Sequence, residues 1–318
     1  DSPFKPSDAS GFRQGLTSYG DPGFSLFLRK AFIKGAGYTD AALDKPVIGI
    51  ANTASAYNPC HGNSAQLIQA LERGILLAGG LPMTFPTISL HESFAAPTSM
   101  YLRNLMAMDT EEMLLAQPMD AVVLIGGCDK TVPAQLMGAA SAGLPAIQLI
   151  TGSMLTGSHR GTRVGACTDC RRYWGKFRAE EIDEREISDV NDQLVPSVGT
   201  CSVMGTASTM ACIAEALGMT VPGGASPPAV TADRIRIAEL TGAQAVDDGC
   251  QRGISAVEPG HLVGNQLVGG AGVDLVARNA NVHTSALLHL HLCARCSAHY
   301  LSRVAVWSCL QWAALHRV

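Results

Sequence analysis

The chain has 318 residues, of which 47% are hydrophobic and 16% are charged, and its formal net charge is −4. This composition supports one large or two ordinary domains with a sizeable core, and it argues against a disordered chain. The acidic net charge argues against a protein that binds nucleic acid or an anionic membrane through general positive charge. The sequence has no run of about 18 apolar residues and no basic, apolar leader. We therefore expect a cytoplasmic protein that does not enter a membrane.

Short apolar runs alternate with amphipathic stretches from about residue 46 to residue 220. Buried strands are predicted over residues 47–51, 120–125 and 145–150. Helices are predicted after Asn63 as a cap, over residues 132–142 with Pro133 in the first turn, and over residues 205–217 with Gly218 as a stop. Strands that alternate with helices in this way predict an α/β fold, in which a parallel sheet is flanked by helices.

The last part of the chain has a different composition. Residues 279–318 contain no Asp, Glu or Lys, although a soluble surface needs charged side chains. Such a stretch is either a buried or interface segment or the product of a reading-frame slip, and we favour the second. We therefore predict an α/β domain over residues 1–243 and a divergent tail over residues 244–318, truncated or frame-shifted.

Three of the ten cysteines share a position relative to the predicted elements. Cys60 and Cys128 each follow a strand and precede a helix, and Cys201 precedes the third helix. The carboxyl ends of parallel strands lie at one edge of a sheet, where ligand sites form, and helix N-termini favour thiolates. The three thiolates could therefore converge on an iron–sulfur cluster. The alternative is that each is an ordinary buried cysteine, but the shared placement favours a site.

Residues that suit a hard cation lie beside these cysteines. Asp129 directly follows Cys128, and Glu92 follows another apolar run; both offer carboxylates, which hard cations prefer. Lys130 cannot bind a metal while it is protonated, so it could pair with Asp129, bind an anionic substrate or be modified to a carbamate. A surface ion pair is the plainer alternative. A phosphate-binding loop is disfavoured because Asp129 stands where that loop needs a glycine.

Other cysteines and histidines carry less weight. The C-x-x-C pairs Cys167/Cys170 and Cys293/Cys296 are not favoured as ligands, because zinc ribbons place such pairs closer together in sequence. His61 and His91 are predicted to form hydrogen bonds rather than to bind metal.

Several long stretches resemble the dihydroxy-acid and sugar-acid dehydratase family. They are NPCHGN, GGCDKTVPAQLMGAAS and GTCSVMGTASTM, in this order. The segments HESFAAPTSMYLRNLMAMDTEEM and GACTDCRRYWGKFRAEEI look like the pentonate branch of that family, which includes L-arabinonate and D-xylonate dehydratases. The resemblance covers roughly residues 15 to 240.

The resemblance implies two metal centres. Cys60, Cys128 and Cys201 would hold a [2Fe–2S] cluster. Glu92, Asp129 and Lys130 would hold Mg²⁺, with Lys130 as a carbamate. The implied reaction removes water from a sugar acid, giving a 2-keto-3-deoxy acid, in an enzyme that forms dimers or tetramers.

Family members are considerably longer and have a C-terminal, β-barrel-like domain that supplies another Mg²⁺ ligand and a serine base. Nothing in this sequence resembles that domain, so no catalytic base is assigned and the chain is expected to be inactive alone. The alternatives are a non-catalytic iron–sulfur or metal-binding fragment, a branched-chain dihydroxy-acid dehydratase, or a nucleotide-binding α/β enzyme.

Overall fold

A four-stranded parallel sheet lies at the centre of the computed structural model, which describes residues 10–16 and 18–251. Its strands are β1 (Val47–Asn52), β2 (Leu81–Pro86), β3 (Ala121–Gly126) and β4 (Ala146–Ile150), paired in the order β2-β1-β3-β4. A separate antiparallel hairpin consists of β5 (Gly157–His159) and β6 (Thr162–Val164).

The helices of the described residues account for most of the remaining chain. They are α1 (Pro22–Gly35), α2 (Asp40–Leu43), α3 (Ser64–Leu77), α4 (Arg103–Ala116), α5 (Thr131–Ala142), α6 (Asp169–Arg178), α7 (Glu184–Leu194), α8 (Thr206–Ala216) and α9 (Ala232–Gln251). Among them is no helix whose length and apolar character would let it cross a bilayer. The predicted strands and helices correspond to β1, β3, β4, α3, α5 and α8, and the predicted α/β fold is confirmed.

Helices cover both faces of the sheet. Ile48 and Ile50 of β1 pack with α3 and α9 in one core, whereas Val47 and Ala51 pack with α2, α4 and α5 in the other. Every residue of β3 is buried. Because a parallel strand covered on both faces must be apolar throughout, the unbroken apolar runs of the sequence become the inner strands.

Asn63 precedes α3, as predicted, but its side chain does not cap the helix. Instead its amide donates to the backbone oxygens of Thr151 and Ala229, at 2.8 and 3.0 Å. Asn63 is only 4% exposed, and buried carbonyls need donors. The expected capping bond is therefore replaced by two bonds that join α3 to the segments after β4 and before α9.

Helix α9 passes through the predicted domain boundary at residue 243 without interruption. Ala245 and Val246 are buried in the same core as Ile48. The α/β domain therefore continues at least to residue 251. Residues 252–318 lie outside the described residues, and a divergent tail there stays a prediction.

Candidate metal and cluster site

The candidate residues lie at the carboxyl edge of the parallel sheet. The segments beyond the strands carry Cys60 after β1, Glu92 after β2, Cys128 after β3 and Cys201 beyond β4. Cys201 reaches this edge because its neighbour Thr200 forms a parallel bridge with Ser153, just past the end of β4. Four loops from four neighbouring strands therefore meet where parallel sheets form ligand sites.

Cys60 and Cys128 form a buried pair of thiols. Each residue is 4% exposed, and the two thiols influence each other's ionisation directly. That contact lowers the pKa of Cys60 and, together with burial, raises the pKa of Cys128. Within this pair the contact therefore favours the thiolate of Cys60 and the thiol of Cys128.

Cys201 contacts a different thiol. Its Sγ lies 3.6 Å from Sγ of Cys167. The contact lowers the pKa of Cys167 to about 6 and raises the pKa of Cys201. The charges of Cys60 and Cys128 also raise the pKa of Cys201, so the two thiol pairs lie within electrostatic range. Cys167 therefore lies beside the candidate ligand Cys201, although the sequence did not favour its C-x-x-C motif as a metal site.

The predicted set of three thiols is present as parts of two pairs. In the described part of the chain, no three Cys, His, Asp or Glu side chains gather around one point that could hold a metal ion. A [2Fe–2S] cluster contains two irons and takes thiolate ligands. Paired thiols, one of which has a lowered pKa in each pair, are donors that such a cluster can use.

Asp129 contacts both the thiol of Cys128 and a group of charged side chains. The thiol of Cys128 donates to Oδ1 of Asp129 over 3.3 Å, and the ammonium of Lys130 donates to Oδ2 over 2.8 Å. Nζ of Lys130 also lies 3.2 Å from Oε2 of Glu92. The structure therefore brings Glu92, Asp129 and Lys130 into one contact group beside Cys128.

The contacts of Lys130 keep it as an ammonium. Burial alone would lower its pKa, but the hydrogen bond to Asp129 and the charges of Asp129 and Glu92 raise it. Burial would raise the pKa of Glu92, but hydrogen bonds from Ser99 and Thr98 lower it to about 2. The ammonium thus lies between two carboxylates, as a cation would, and this donor set suits a hard cation once Lys130 loses its positive charge.

His61 fixes the loop that carries Cys128. Its Nε2 accepts hydrogen bonds from the backbone N–H groups of Gly127 and Cys128 over 3.1 and 3.2 Å. Its Nδ1 donates to the backbone oxygen of Thr53 over 3.0 Å. Burial lowers the pKa of His61 to about 4, so the ring is neutral at neutral pH and Nε2 can accept. The predicted hydrogen-bonding role is confirmed for His61 and also for His91.

Comparison with known proteins places these residues in a family context. A family model described as "Dihydroxy-acid/6-phosphogluconate dehydratase N-terminal" matches residues 45–300. The 6-deoxy-6-sulfo-D-gluconate dehydratase of Pseudomonas putida is 43% identical over 64% of this chain and 35% of its own length. The L-arabinonate dehydratase of Rhizobium leguminosarum bv. trifolii is 39% identical over 72% of this chain and 40% of its own length. The D-xylonate dehydratase of Caulobacter vibrioides is 42% identical over 70% of this chain and 38% of its own length.

The chain spans at most 40% of the length of these three relatives. The family match contains every candidate ligand and runs beyond residue 243 into the segment predicted to diverge. The chain belongs to the dihydroxy-acid/6-phosphogluconate dehydratase family, of which it carries the N-terminal region.

Proposed function

We propose that this chain is the cofactor-binding part of a hydro-lyase that removes water from a sugar acid, with a [2Fe–2S] cluster and Mg²⁺. The proposal is carried by Asp129, whose carboxylate accepts from both the Cys128 thiol and the Lys130 ammonium. Thiol and carboxylate ligands are thereby held side by side at one strand end. Two adjoining centres suit a reaction in which two oxygens of one small substrate must be contacted together.

In this proposal Cys60, Cys128 and Cys201 hold the cluster. Cluster binding requires thiolates, so it releases protons. The contact with Cys128 already eases the loss of one proton from Cys60, and burial of both residues keeps water away from the bound sulfurs. Glu92, Asp129 and Lys130 hold Mg²⁺ beside them.

Lys130 would bind Mg²⁺ as a carbamate. Its neutral amine adds to carbon dioxide and releases a proton, which converts a cationic side chain into an anionic one. The negative charges of Glu92 and Asp129 oppose this change, because they favour the ammonium. Lys130 is therefore expected to be modified only when a cation lies between these two carboxylates. The negative charge of the carbamate then helps to balance the positive charge of that cation.

When bound, the cluster and Mg²⁺ would supply Lewis acidity towards the oxygens of the substrate. The residues of this chain would hold those groups, and the burial of Cys60, Cys128 and Lys130 would limit the access of water to them. We assign no catalytic base within residues 10–16 and 18–251, because the resemblance implies a serine from a further domain.

The proposed substrate is a pentonate such as L-arabinonate or D-xylonate. Relatives named for five-carbon acids and for a sulfonated six-carbon acid are similarly identical to this chain. The choice of pentonates therefore rests on the two segments that resemble the pentonate branch. A branched-chain dihydroxy-acid dehydratase, which the family description also covers, and a non-catalytic iron–sulfur or metal-binding fragment are the alternatives. We further propose a cytoplasmic homo-oligomer, a dimer or tetramer, that binds neither nucleic acid nor membranes.

Anaerobic reconstitution of the 318-residue chain with ferrous iron and sulfide tests the cofactor proposal. We expect about two irons and two sulfides per chain and, after reduction with dithionite, the paramagnetic signal of a [2Fe–2S] cluster. Cys128→Ser should lose this signal, whereas Cys212→Ser, which changes an exposed cysteine of α8, should keep it. A wild-type chain that takes up no iron would refute the proposal.

A chimera tests the reaction. Residues 45–251, which include the whole of α9, would replace the matching part of the D-xylonate dehydratase of Caulobacter vibrioides, and the product formed from D-xylonate would be measured. We expect dehydration by the chimera, a loss of about 100-fold or more with Asp129→Asn, and no dehydration by the 318-residue chain alone. A chimera that binds both cofactors but dehydrates neither pentonates nor branched dihydroxy acids would favour the non-catalytic alternative.

A further inference from the structure

A small cavity lies between α1 and the edge strand β2. Its volume is about 180 Å³. Most of the side chains that line it are apolar, among them Phe12, Ile33, Val47, Met83, Phe85 and Met119. Its polar side chains are those of Arg29 and Gln117. Apolar walls with a few polar groups are typical of sites that bind small molecules.

Arg29 carries a positive charge that no carboxylate balances in the described part of the chain. The other two basic residues of α1 are paired. Lys30 contacts Asp44 over 3.1 Å. Lys34 contacts Asp40 over 2.8 Å. Arg29 is half-buried, and burial lowers its pKa. Because a charge away from water is costly without a partner of opposite sign, the side chain of Arg29 favours an anion beside it.

The guanidinium of Arg29 is fixed in place by bonds that use only part of its donors. Nη1 donates to the backbone oxygens of Phe12 and Gln14, each over 2.7 Å. A guanidinium has five N–H groups, and Nη1 carries two of them. The N–H groups of Nε and Nη2 therefore remain, and a guanidinium can bind a carboxylate through two such parallel N–H groups.

Gln117 offers a second donor to the cavity. In the part of the chain that the structure describes, its side-chain amide donates only to Sδ of Met113, over 3.7 Å. A thioether is a weak acceptor. A carboxylate oxygen in the cavity would therefore be a better partner for this amide than the one it has.

We infer that this cavity binds a small monocarboxylate with a compact apolar body, such as a branched aliphatic chain or a benzene ring. An apolar cavity of about 150 Å³ is large enough for benzene, and this cavity of about 180 Å³ admits a body of similar size. The carboxylate would bind to Arg29 and Gln117. The apolar body would contact Met83, Phe85 and Met119. A sugar acid does not suit the cavity, because its hydroxyl groups would find no partners against these walls.

The cavity lies apart from the candidate metal ligands. Val47 begins β1 and Met119 precedes β3, whereas the candidate ligands lie beyond the carboxyl ends of the strands. A bound carboxylate would connect α1 and β2 with the segment that carries Phe12. It would therefore stabilise the fold, whether or not a cluster is present.

The test uses isovalerate and benzoate as probes, with isovaleramide and benzamide as uncharged controls of the same shape. Isothermal titration calorimetry of the 318-residue chain at neutral pH measures the dissociation constants. We expect both carboxylates to bind, and the amides to bind at least about tenfold more weakly because they lack the charge that Arg29 pairs with. Equal affinities for the acids and their amides, or no binding of either carboxylate at millimolar concentrations, would overturn the inference.

A pair of variants tests the role of Arg29. Arg29→Gln removes the charge but keeps a side-chain amide that can donate to the oxygens of Phe12 and Gln14. Lys34→Gln removes the same charge from an exposed position of the same helix and is the control. We expect Arg29→Gln to bind both carboxylates about tenfold or more weakly than the wild type, and Lys34→Gln to bind them as the wild type does. Wild-type affinity in a folded Arg29→Gln variant would contradict the inference. If this variant does not fold, the comparison of acids with amides on the wild type decides.

Methionine signals locate the bound probe. In a chain labelled with carbon-13 at its methionine methyl groups, the ring of benzoate should shift the signals of Met83 and Met119, which line the cavity. Met204 is 62% exposed and serves as the control. If the signals of Met83 and Met119 stay unchanged at saturating benzoate, the probe binds elsewhere and the inference is wrong.

Discussion

His61 sets the position of a candidate ligand, Cys128, that lies far from it in sequence. It directly follows Cys60, yet its ring accepts the backbone N–H groups of Gly127 and Cys128. Because the ring is buried and neutral, it accepts these bonds without bringing a positive charge next to the thiols. The loops after β1 and β3 are therefore joined by one imidazole.

Replacing His61 by alanine leaves two buried N–H groups without their acceptor. We expect His61→Ala to lower the free energy of unfolding by about 2–4 kcal/mol and to reduce the iron bound per chain. Urea denaturation and iron analysis measure the two effects. His91→Ala removes one hydrogen bond in the turn after β2 and should cost less than about 1 kcal/mol. Equal losses in the two variants would contradict the role given to His61.

At the scale of elements, α3 and α9 approach each other through glycines. A Cβ on Gly74 would collide with the backbone oxygen of Glu239, and a Cβ on Gly242 would collide with the backbone oxygen of Leu71. Glycine within a helix costs about 0.5–1 kcal/mol relative to alanine. The close packing of the two helices offsets that cost and covers one face of the sheet.

Gly74→Ala and Gly242→Ala should therefore each destabilise the protein by about 2 kcal/mol or more, because the added methyl groups force the helices apart. Gly175 of α6 provides the control, since a Cβ there meets no other part of the described chain within 4 Å. Gly175→Ala should stabilise by up to about 1 kcal/mol. The midpoints of urea denaturation measure these changes in stability. A Gly74→Ala variant with the stability of the wild type would contradict the close approach of the two helices.

The sequence predicted the elements whose signal is local. The apolar runs at residues 47–51 and 120–125 correspond closely to β1 and β3, because a strand buried on both faces needs unbroken apolar residues. The strands β5 and β6 have three residues each and expose part of their side chains. No period can be recognised in so short a segment, and these strands were not predicted.

The candidate site likewise contains residues whose positions can be predicted from the sequence and one contact that cannot. The positions of Cys60 and Cys128 follow from the order strand, loop, helix, which can be read along the chain. The contact between Cys167 and Cys201 depends on how the loop after β6 folds back towards the segment before α8. No local pattern encodes that approach, so the contact could be found only in three dimensions, although a C-x-x-C motif had already pointed to Cys167.

At the scale of the whole molecule, Asp120 fastens the N-terminal segment to the sheet. Its carboxylate accepts the backbone N–H groups of Gly11 at 2.9 Å and Val47 at 2.7 Å, and the side-chain amide of Gln14. Asp120 precedes β3, whereas Cys128 follows it. A carboxylate therefore ties the N-terminal segment to the amino ends of the strands, while the candidate ligands lie at the carboxyl ends.

Asp120→Ala should lower the free energy of unfolding by about 2–4 kcal/mol, because two buried backbone donors lose their acceptor. Asp120→Asn keeps one acceptor oxygen and should cost less. The g-values of the reduced cluster should stay unchanged in both variants, since the substitution lies at the other edge of the sheet. A shift in the g-values would show that the two edges are coupled.

The contact between Cys60 and Cys128 also has a consequence for how the protein is made. Folding begins during synthesis, from the N-terminus. The strands β1 and β3, beyond which Cys60 and Cys128 lie, precede Cys201 in the chain, so these two thiols are synthesised before the third candidate ligand. Copper and zinc bind such sites more tightly than ferrous iron does. Under the proposed function, iron must therefore reach this pair of thiols before zinc or copper does, and overproduction in metal-rich medium should yield chains loaded with zinc or copper.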